Sequence, residues 1–414
     1  MRSTTRLVVL AALALVSCKE VNPLYCPAHP GAEGCPPAPD GAVDAADATP
    51  IGDDAHTVPA CADATDCPAS GVCLASGACA DEGDVAYVDP DGTDTASCTK
   101  ALPCTKIASA LATVTNAGAP RPYLKLHGAI SEGVTLSRNV TVLATPGASL
   151  TRPTSGAIVT VTGTSVVEID DLLITGAKGS NDPGLLTADA SVVTLKRVTI
   201  SANPGHGISC AGNVLAVSGS RFTANGLTGI TCNRGSVTVT ASTFSKNARG
   251  GLFLAGGSFD LTNNFIYDNG DRDSSDLGGV IVSPMAGSTN RFEFNTVVAN
   301  HVRDFITAPS AGVVCDLTAF MAPNNIIAGN DLHDDVNRTN SNTAGKCIYP
   351  TSAITPSLAE LMFVSLVDPR DFHLQSGSSA IGAATTPTTV TTDIDGDPRT
   401  AEINDQGADQ RTPR

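Results

Sequence analysis

Between residues 206 and 271 the apolar positions recur in blocks. Three segments, 206–227, 228–249 and 250–271, are each 22 residues long and align without a gap. Gly207, Gly229 and Gly251 share a column, and Ile208, Ile230 and Leu252 share the next. Cys210, Cys232 and Leu254 form a third, Phe222, Phe244 and Ile266 a fourth, and Asn225, Asn247 and Asn269 a fifth. Within a block apolar and polar residues alternate, as in Ile208-Ser209-Cys210 and Leu215-Ala216-Val217, which is the pattern of a half-buried strand. A fixed period this short describes a solenoid whose coils bury their apolar faces on their neighbours. Identical columns require parallel, in-register stacking. The abundance of Gly, Thr and Val, with no 3.6-residue period, excludes helical repeats. Parallel crossovers are right-handed in nearly all cases. The expectation is an all-β chain, a right-handed parallel β-helix built as a single-stranded solenoid of about ten coils over residues 123–384.

The columns also test the register. Cys210 and Cys232 lie one coil apart, about 4.8 Å between stacked strands, which suits a disulfide. Cys315 falls in the same column of a later coil, with Cys347 as its expected partner. The Asn column continues through Asn203, Asn300 and Asn330. Asn tolerates the left-handed turn conformation, and stacked amides can hydrogen-bond along the axis. These residues are expected to be structural.

The flanks differ in texture. Arg2 and Arg6 precede an apolar run from Leu7 to Val16, too short to span a bilayer, so residues 1–17 read as a signal peptide. The run ends in Leu15-Val16-Ser17-Cys18, which resembles a bacterial lipobox. That resemblance implies lipidation of Cys18 and a membrane anchor. Lys19, in place of the Asp of inner-membrane retention, leans towards the outer membrane or cell surface of a Gram-negative bacterium. Residues 18–60 read as an acidic tether rich in Pro, Ala and Asp, in which Cys26 and Cys35 could close a small loop. Residues 61–80 carry Cys61, Cys67, Cys73 and Cys79, each separated from the next by five intervening residues. Four cysteines in so short a segment take the place of a core, as disulfides in any of three connectivities. Zinc pairs usually sit closer together. Thirteen Cys less Cys18 leave an even number, which suits an oxidising compartment.

Residues 84–122 read as an N-terminal cap of strand, turn and helix. Cys98 and Cys104 bracket a loop, Thr105 is placed to cap the helix, and Ile107, Ala110, Leu111 and Val114 share one helical face. A helix laid over an open β-helix end covers strand edges that would otherwise pair with another chain. This segment resembles the start of bacterial proteins of the pectin-lyase-like superfamily, which implies the same fold. Residues 385–414 include Asp393-Ile394-Asp395-Gly396-Asp397-Pro398-Arg399 and Asp405-Gln406-Gly407-Ala408-Asp409. They resemble the tail of bacterial β-helix surface proteins and read as a C-terminal cap.

Charge narrows the partners. Asp and Glu total 41 against 25 Lys and Arg, a net −16, so nucleic acid is not an expected partner. A monomer is expected, held to a membrane through Cys18, with a polysaccharide or another surface protein as its ligand. Aromatic residues are only 4% of the chain and Trp is absent, which is sparse for sugar platforms.

Candidate chemistry lies in two places. Gly205-His206-Gly207-Ile208-Ser209 resembles the GHGIS strand of polygalacturonases, enzymes that need paired carboxylates and a cationic clamp. One coil earlier only Asp182 is acidic, off register, and one coil later Thr231 and Asn233 stand where Arg and Lys should be. His206 is then a turn residue, and Asp170-Asp171 reads as solvated strand polarity. The second place is a set of insertions entering at one phase, just after the Asn turn. They are Asp271-Arg272-Asp273-Ser274-Ser275-Asp276, His301-Val302-Arg303-Asp304 and Asp331-Leu332-His333-Asp334-Asp335. Insertions at equal phase stack on one side of a solenoid. They would wall a groove floored by Ser209, Thr231, Phe253, Ile281 and Val314, with Arg272, Asp273, Phe253 and Ile281 as binding residues. Catalytic candidates are His206, His301, Arg303, Asp304, His333 and Asp334. No cofactor or metal is expected. Ca²⁺ is the one ion considered, because superfamily lyases use it and Asp89, Asp91 and Asp94 could hold it in the cap. The expected function is a surface-anchored, non-catalytic β-helix that binds or displays. The alternative is a lyase or hydrolase of acidic polysaccharide.

Overall fold

In a computed structural model the chain divides into residues 1–57 and 58–414. The structure describes residues 61, 66–74, 77–93, 97–116, 122–303, 309–332, 341–400 and 403–411. The expected signal peptide and tether, with Cys18, Cys26 and Cys35, lie outside the described residues.

Three parallel sheets of nine, nine and ten strands form the solenoid. Successive coils pair at the expected columns, with Ile208 opposite Ile230 and Cys210 opposite Cys232. The first sheet starts at Val85–Val88, continues with Tyr123–Leu126 and ends at Asn290–Glu293. The second runs from Val134–Leu136 to Thr343–Gly345, and the third from Ala129–Ser131 to Ala353–Thr355. The coils therefore stop at Thr355 instead of continuing to residue 384.

The core is one column of inward residues per strand. Phe222 and Phe244 stack with ring centroids 4.7 Å apart and planes within 4°. The Gly column exists for steric reasons. A Cβ on Gly229 would sit 2.7 Å from Phe244 Cδ1 and 2.8 Å from the Gly251 carbonyl oxygen.

The Asn column forms a continuous ladder. Asn225 Nδ2 donates to Asn247 Oδ1 at 2.9 Å, and Asn247 Nδ2 donates to Asn269 Oδ1 at 2.9 Å. The ladder begins at Asn203 and passes through Asn300 and Asn330 to Asn342. The left-handed residue of each turn is the one before the Asn. Ala202, Ala224, Lys246, Asp268 and Ala299 have φ between 51° and 55°. Asn is thus selected for its amide, not for its tolerance of positive φ. A second ladder, Asn264, Asn295 and Asn325, lines the turn between the first and third sheets.

Disulfides join Cys210 to Cys232 and Cys315 to Cys347 across coils, and Cys98 to Cys104 in the cap. In the cysteine-rich segment the pairs are Cys61–Cys73 and Cys67–Cys79. That segment docks on the first coils: Val72 and Leu74 pack with Val85, Tyr87, Tyr123 and Leu143. Helix α1, Ile107–Asn116, buries Ile107 and Ala110 in the solenoid core. The Glu132 carboxylate accepts the N–H groups of Ile107 at 2.7 Å and Ala108 at 3.0 Å, holding the positive end of the helix.

After Thr355 the chain turns back along the side of the solenoid. A short antiparallel pair, Phe363–Ser365 with Asp371–Leu374, opens this return. Phe363, Phe372, Leu374, Ala380 and Ala408 pack on Phe265, Val298, Ile326 and Ala328, which point outward from the third sheet. The Asp393–Arg399 motif, expected to cap an end, lies on this lateral surface. Arg399 is buried, sits 4.0 Å over the Phe294 ring and donates to the carbonyls of Asp405 and Gly407. Gly407 N–H reaches Asn324 O, and Gln406 Nε2 reaches Thr351 O in the last coil. The segment is a clasp laid across successive coils.

Candidate functional site

The insertions stack as their common phase requires. His301–Val302 pairs in parallel with Asp331–Leu332, extending the corner after the Asn ladder. Arg272 donates through Nε to His301 Nδ1 at 3.4 Å and pairs with Asp331 at 3.1 Å. Arg303 pairs with Asp276 at 3.4 Å. Burial, followed by the Arg272 charge, pushes the His301 imidazole down to about 4, so it is neutral at neutral pH. Asp271 is held below the ordinary carboxylate range by the Asp273 and Ser274 donors. Asp273 is exposed. Asp304, His333 and Asp334 lie outside the described residues. The structure thus brings Arg272, His301 and Asp331 together, but as a mutually satisfied network.

The floor differs from the expected one. Phe253 and Ile281 are half-buried, and Val314 is fully covered, so the second sheet does not present a continuous apolar strip. Among the described residues, a charged neighbour of the insertions from elsewhere in the chain is Arg370 of the C-terminal return. It pairs with Asp268 at 3.0 Å and adds to the depression of His301. The insertions therefore face the side where the return lies.

His206 is half-buried, bonded to Thr228 Oγ1 at 2.6 Å, and its imidazole is lowered by that burial. Asp182 accepts the Gly156 and Gly179 N–H groups, both at 2.6 Å, which makes it a turn anchor. In the cap, Asp89 Oδ1 accepts the Asp91 N–H at 2.9 Å, an Asx turn, while Asp94 lies outside the described residues. Asp170 corrects the reading of solvated polarity. It is only 8% exposed, one of its oxygens has no partner, and burial, then Glu168, raises its carboxyl. Alternation points it outward, but it lies between Leu143 and Lys196 of the adjacent strands, with Arg197 reaching its other oxygen at 3.4 Å.

A further site was not anticipated from the sequence. A groove of about 590 Å³ opens between the outer face of the third sheet and the return. Arg221, Thr243 and Tyr267 line the solenoid side, and Arg370, His373 and Asp395 line the other. Phe265 and Phe372 form its base, with the His373 ring edge-on to Phe265 at 5.2 Å. His373 Nδ1 contacts Asp371, and Nε2 lies 2.8 Å from Asp395 Oδ2. Burial alone would lower this imidazole. The Asp371 hydrogen bond and the charges of Asp395, Asp371 and Asp409 outweigh burial and raise it. A signal for the groove exists in the columns. The outward positions of the third sheet change from Thr199, Arg221 and Thr243 to Phe265 and later Ile326, as a covered face would require.

Comparison with known proteins agrees with this architecture. Residues 157–355 match the family model of the right handed beta helix region, ending where the coils end. A crystal structure of pectate lyase Pel9A superposes with a TM-score of 0.52 at 17% identity, covering 79% of this chain and 96% of that one. The chain folds as a right-handed parallel β-helix, the fold it shares with that pectate lyase. No curated protein matches it in sequence. At this identity the likeness is one of fold, and fold alone does not carry an activity.

Proposed function

We propose that the protein is a β-helix displayed on a bacterial envelope, tethered through lipidated Cys18, that holds a polysaccharide segment without cutting it. The observation that carries the binding reading is the groove between the third sheet and the return. Its size is within the range of small-ligand sites. Its surface combines an exposed guanidinium on Arg221, the ring of Tyr267 and the carboxylates of Asp371 and Asp395. Such a surface offers donors and acceptors to hydroxyls and an apolar face to a sugar ring. Hydrolysis needs one carboxylic acid and one free carboxylate across the bond. Asp371 and Asp395 are both engaged by His373, which supports holding over cleavage.

A glycan-array screen of the purified protein, followed by titration with the best ligand, tests this. Arg221→Ala is expected to weaken binding about tenfold, the loss of one charge-assisted hydrogen bond of about 1.5 kcal/mol. Arg221 is exposed, so the fold should tolerate the change. Shortened products in the ligand pool would replace the holding role with a catalytic one. Retention of a protein ligand only, or no change in Arg221→Ala, would remove the groove reading.

The anchor rests on the sequence ending at Cys18. Cys18→Ser is expected to move the protein from the membrane pellet to the soluble fraction, because no other acyl chain would hold it. Membrane retention of that variant, followed by immunoblot, would overturn the lipid anchor.

A further inference from the structure

We infer that His373, Asp395 and Asp409 form a binding site for a divalent transition-metal ion, with Zn²⁺ best matched to the donors, and that Asp371 is the carboxylate orienting the histidine. The three residues come from separate stretches of the return. Their ligand atoms nevertheless lie within 4.8 Å of one another. The tetrahedral zinc bond lengths of about 2.0–2.2 Å place neighbouring ligand atoms about 3.3 Å apart, so small adjustments would admit an ion. The present 2.8 Å between His373 Nε2 and Asp395 Oδ2 is close to that spacing.

Each part of a metal site is represented. His373 Nδ1 is bound to Asp371, which leaves Nε2 directed at Asp395, with Asp409 in the same cluster. A carboxylate behind the imidazole is the usual device for fixing the tautomer and orientation of a metal-ligating His. Asp409 is 7% exposed and anchored through Oδ2 by the Leu374 N–H at 2.6 Å, so it is already in place. Asp393 holds the loop that carries Asp395, accepting the N–H groups of Asp395, Asp397 and Gln410. Phe265 supplies an apolar wall against the ring.

Charge supports the same reading. Asp371, Asp393, Asp395 and Asp409 gather around a single imidazole and the Arg399 guanidinium. The Arg399 guanidinium donates to the carbonyls of Asp405 and Gly407 and to Gln410 Oε1, not to these carboxylates. A cation would offset the surplus. One imidazole among carboxylates suits zinc better than calcium or magnesium, which take oxygen ligands. Three protein ligands leave a fourth coordination position open, and two of the three, His373 and Asp395, line the groove. The site does not depend on the groove taking a glycan, and its test uses none.

Full-length protein, stripped with a chelator, would be titrated calorimetrically with ZnCl₂ and, separately, with CaCl₂. One equivalent of zinc is expected, with calcium much weaker. Asp371→Asn is expected to weaken zinc about 10–100-fold, the usual effect of losing an orienting partner. His373→Ala should abolish binding, and Asp395→Asn, at an exposed position, should weaken it at least about tenfold without disturbing the fold. Zinc should also raise the melting temperature of the native protein and not that of Asp395→Asn. The inference is overturned if the native protein takes up no zinc, or if Asp395→Asn and His373→Ala bind zinc as the native protein does.

Discussion

Replacing Asn247 by Ala is expected to destabilise the solenoid by about 3–5 kcal/mol, among the larger effects of a single substitution. Asn247 is fully buried and its amide serves two neighbouring coils. Its Nδ2 donates to the Phe222 carbonyl at 3.0 Å and to Asn269 Oδ1 at 2.9 Å. Its Oδ1 accepts the Asn225 backbone N–H at 3.2 Å and Asn225 Nδ2 at 2.9 Å. Alanine removes all four bonds while the groups that made them stay buried. Two of those groups keep another partner, Asn225 Nδ2 on the Ile200 carbonyl and Asn269 Oδ1 on the backbone N–H of residue 247, and each group left with none costs about 1–3 kcal/mol. The adjacent residue gives the contrast. Lys246→Ala removes only a half-exposed ion pair with Asp368 and should cost about 0–1 kcal/mol. Equilibrium denaturation in urea measures both. A loss for Asn247→Ala no greater than that for Lys246→Ala would show that the ladder is incidental to stability.

The ladder also shows what the sequence could reveal. A strict period places every repeated residue in a column, and a column fixes register without knowledge of any tertiary contact. Hence the pairing of Cys210 with Cys232, the inward Phe222 and Phe244, and the Asn run were all legible. The reason for the Asn was only half legible. Which residue of a tight turn takes positive φ is a backbone property, and here it falls on Ala224 and Lys246 rather than on the Asn that follows. Asp170 was misjudged for a related reason. Alternation tells which face a side chain takes, but not that Arg197 and the neighbouring strands cover that face.

The return was harder to read because it breaks the period. Beyond Thr355 no column predicts where the chain lies, and its partners are set by long-range apolar contacts. The insertions announced their common side by phase, yet Arg370, which comes to that side, is remote from them in sequence. Phe265, Val298 and Ile326 on the third sheet were the available clue: outward apolar residues on one sheet over successive coils imply a cover. The groove, His373 and Asp395 follow from that cover, so a reading of the repeat alone could not reach them.

The importance of the cover makes Phe372→Ala the second large expected effect, about 3–5 kcal/mol, as for a buried Phe elsewhere. Phe372 is 2% exposed. Its ring lies 4.8 Å from Tyr267, 5.1 Å from Phe363 and 6.5 Å from Phe265. These contacts belong to an apolar cluster separate from the continuous core inside the coils. The loss should therefore be local: the return loosens while the coils, with their own ladders and inter-coil disulfides, stay folded. Arg370 provides the readout, since trypsin should cut there faster once the segment leaves the third sheet. Circular dichroism should keep its β signature, whereas glycan retention and zinc uptake should fall together, because both need the return in place. Equal tryptic rates in the native protein and Phe372→Ala would show that the clasp around Arg399 holds the segment without the aromatic cluster. Unfolding of the entire chain would instead make the return part of the cooperative core, and the groove could not then be altered independently of the solenoid.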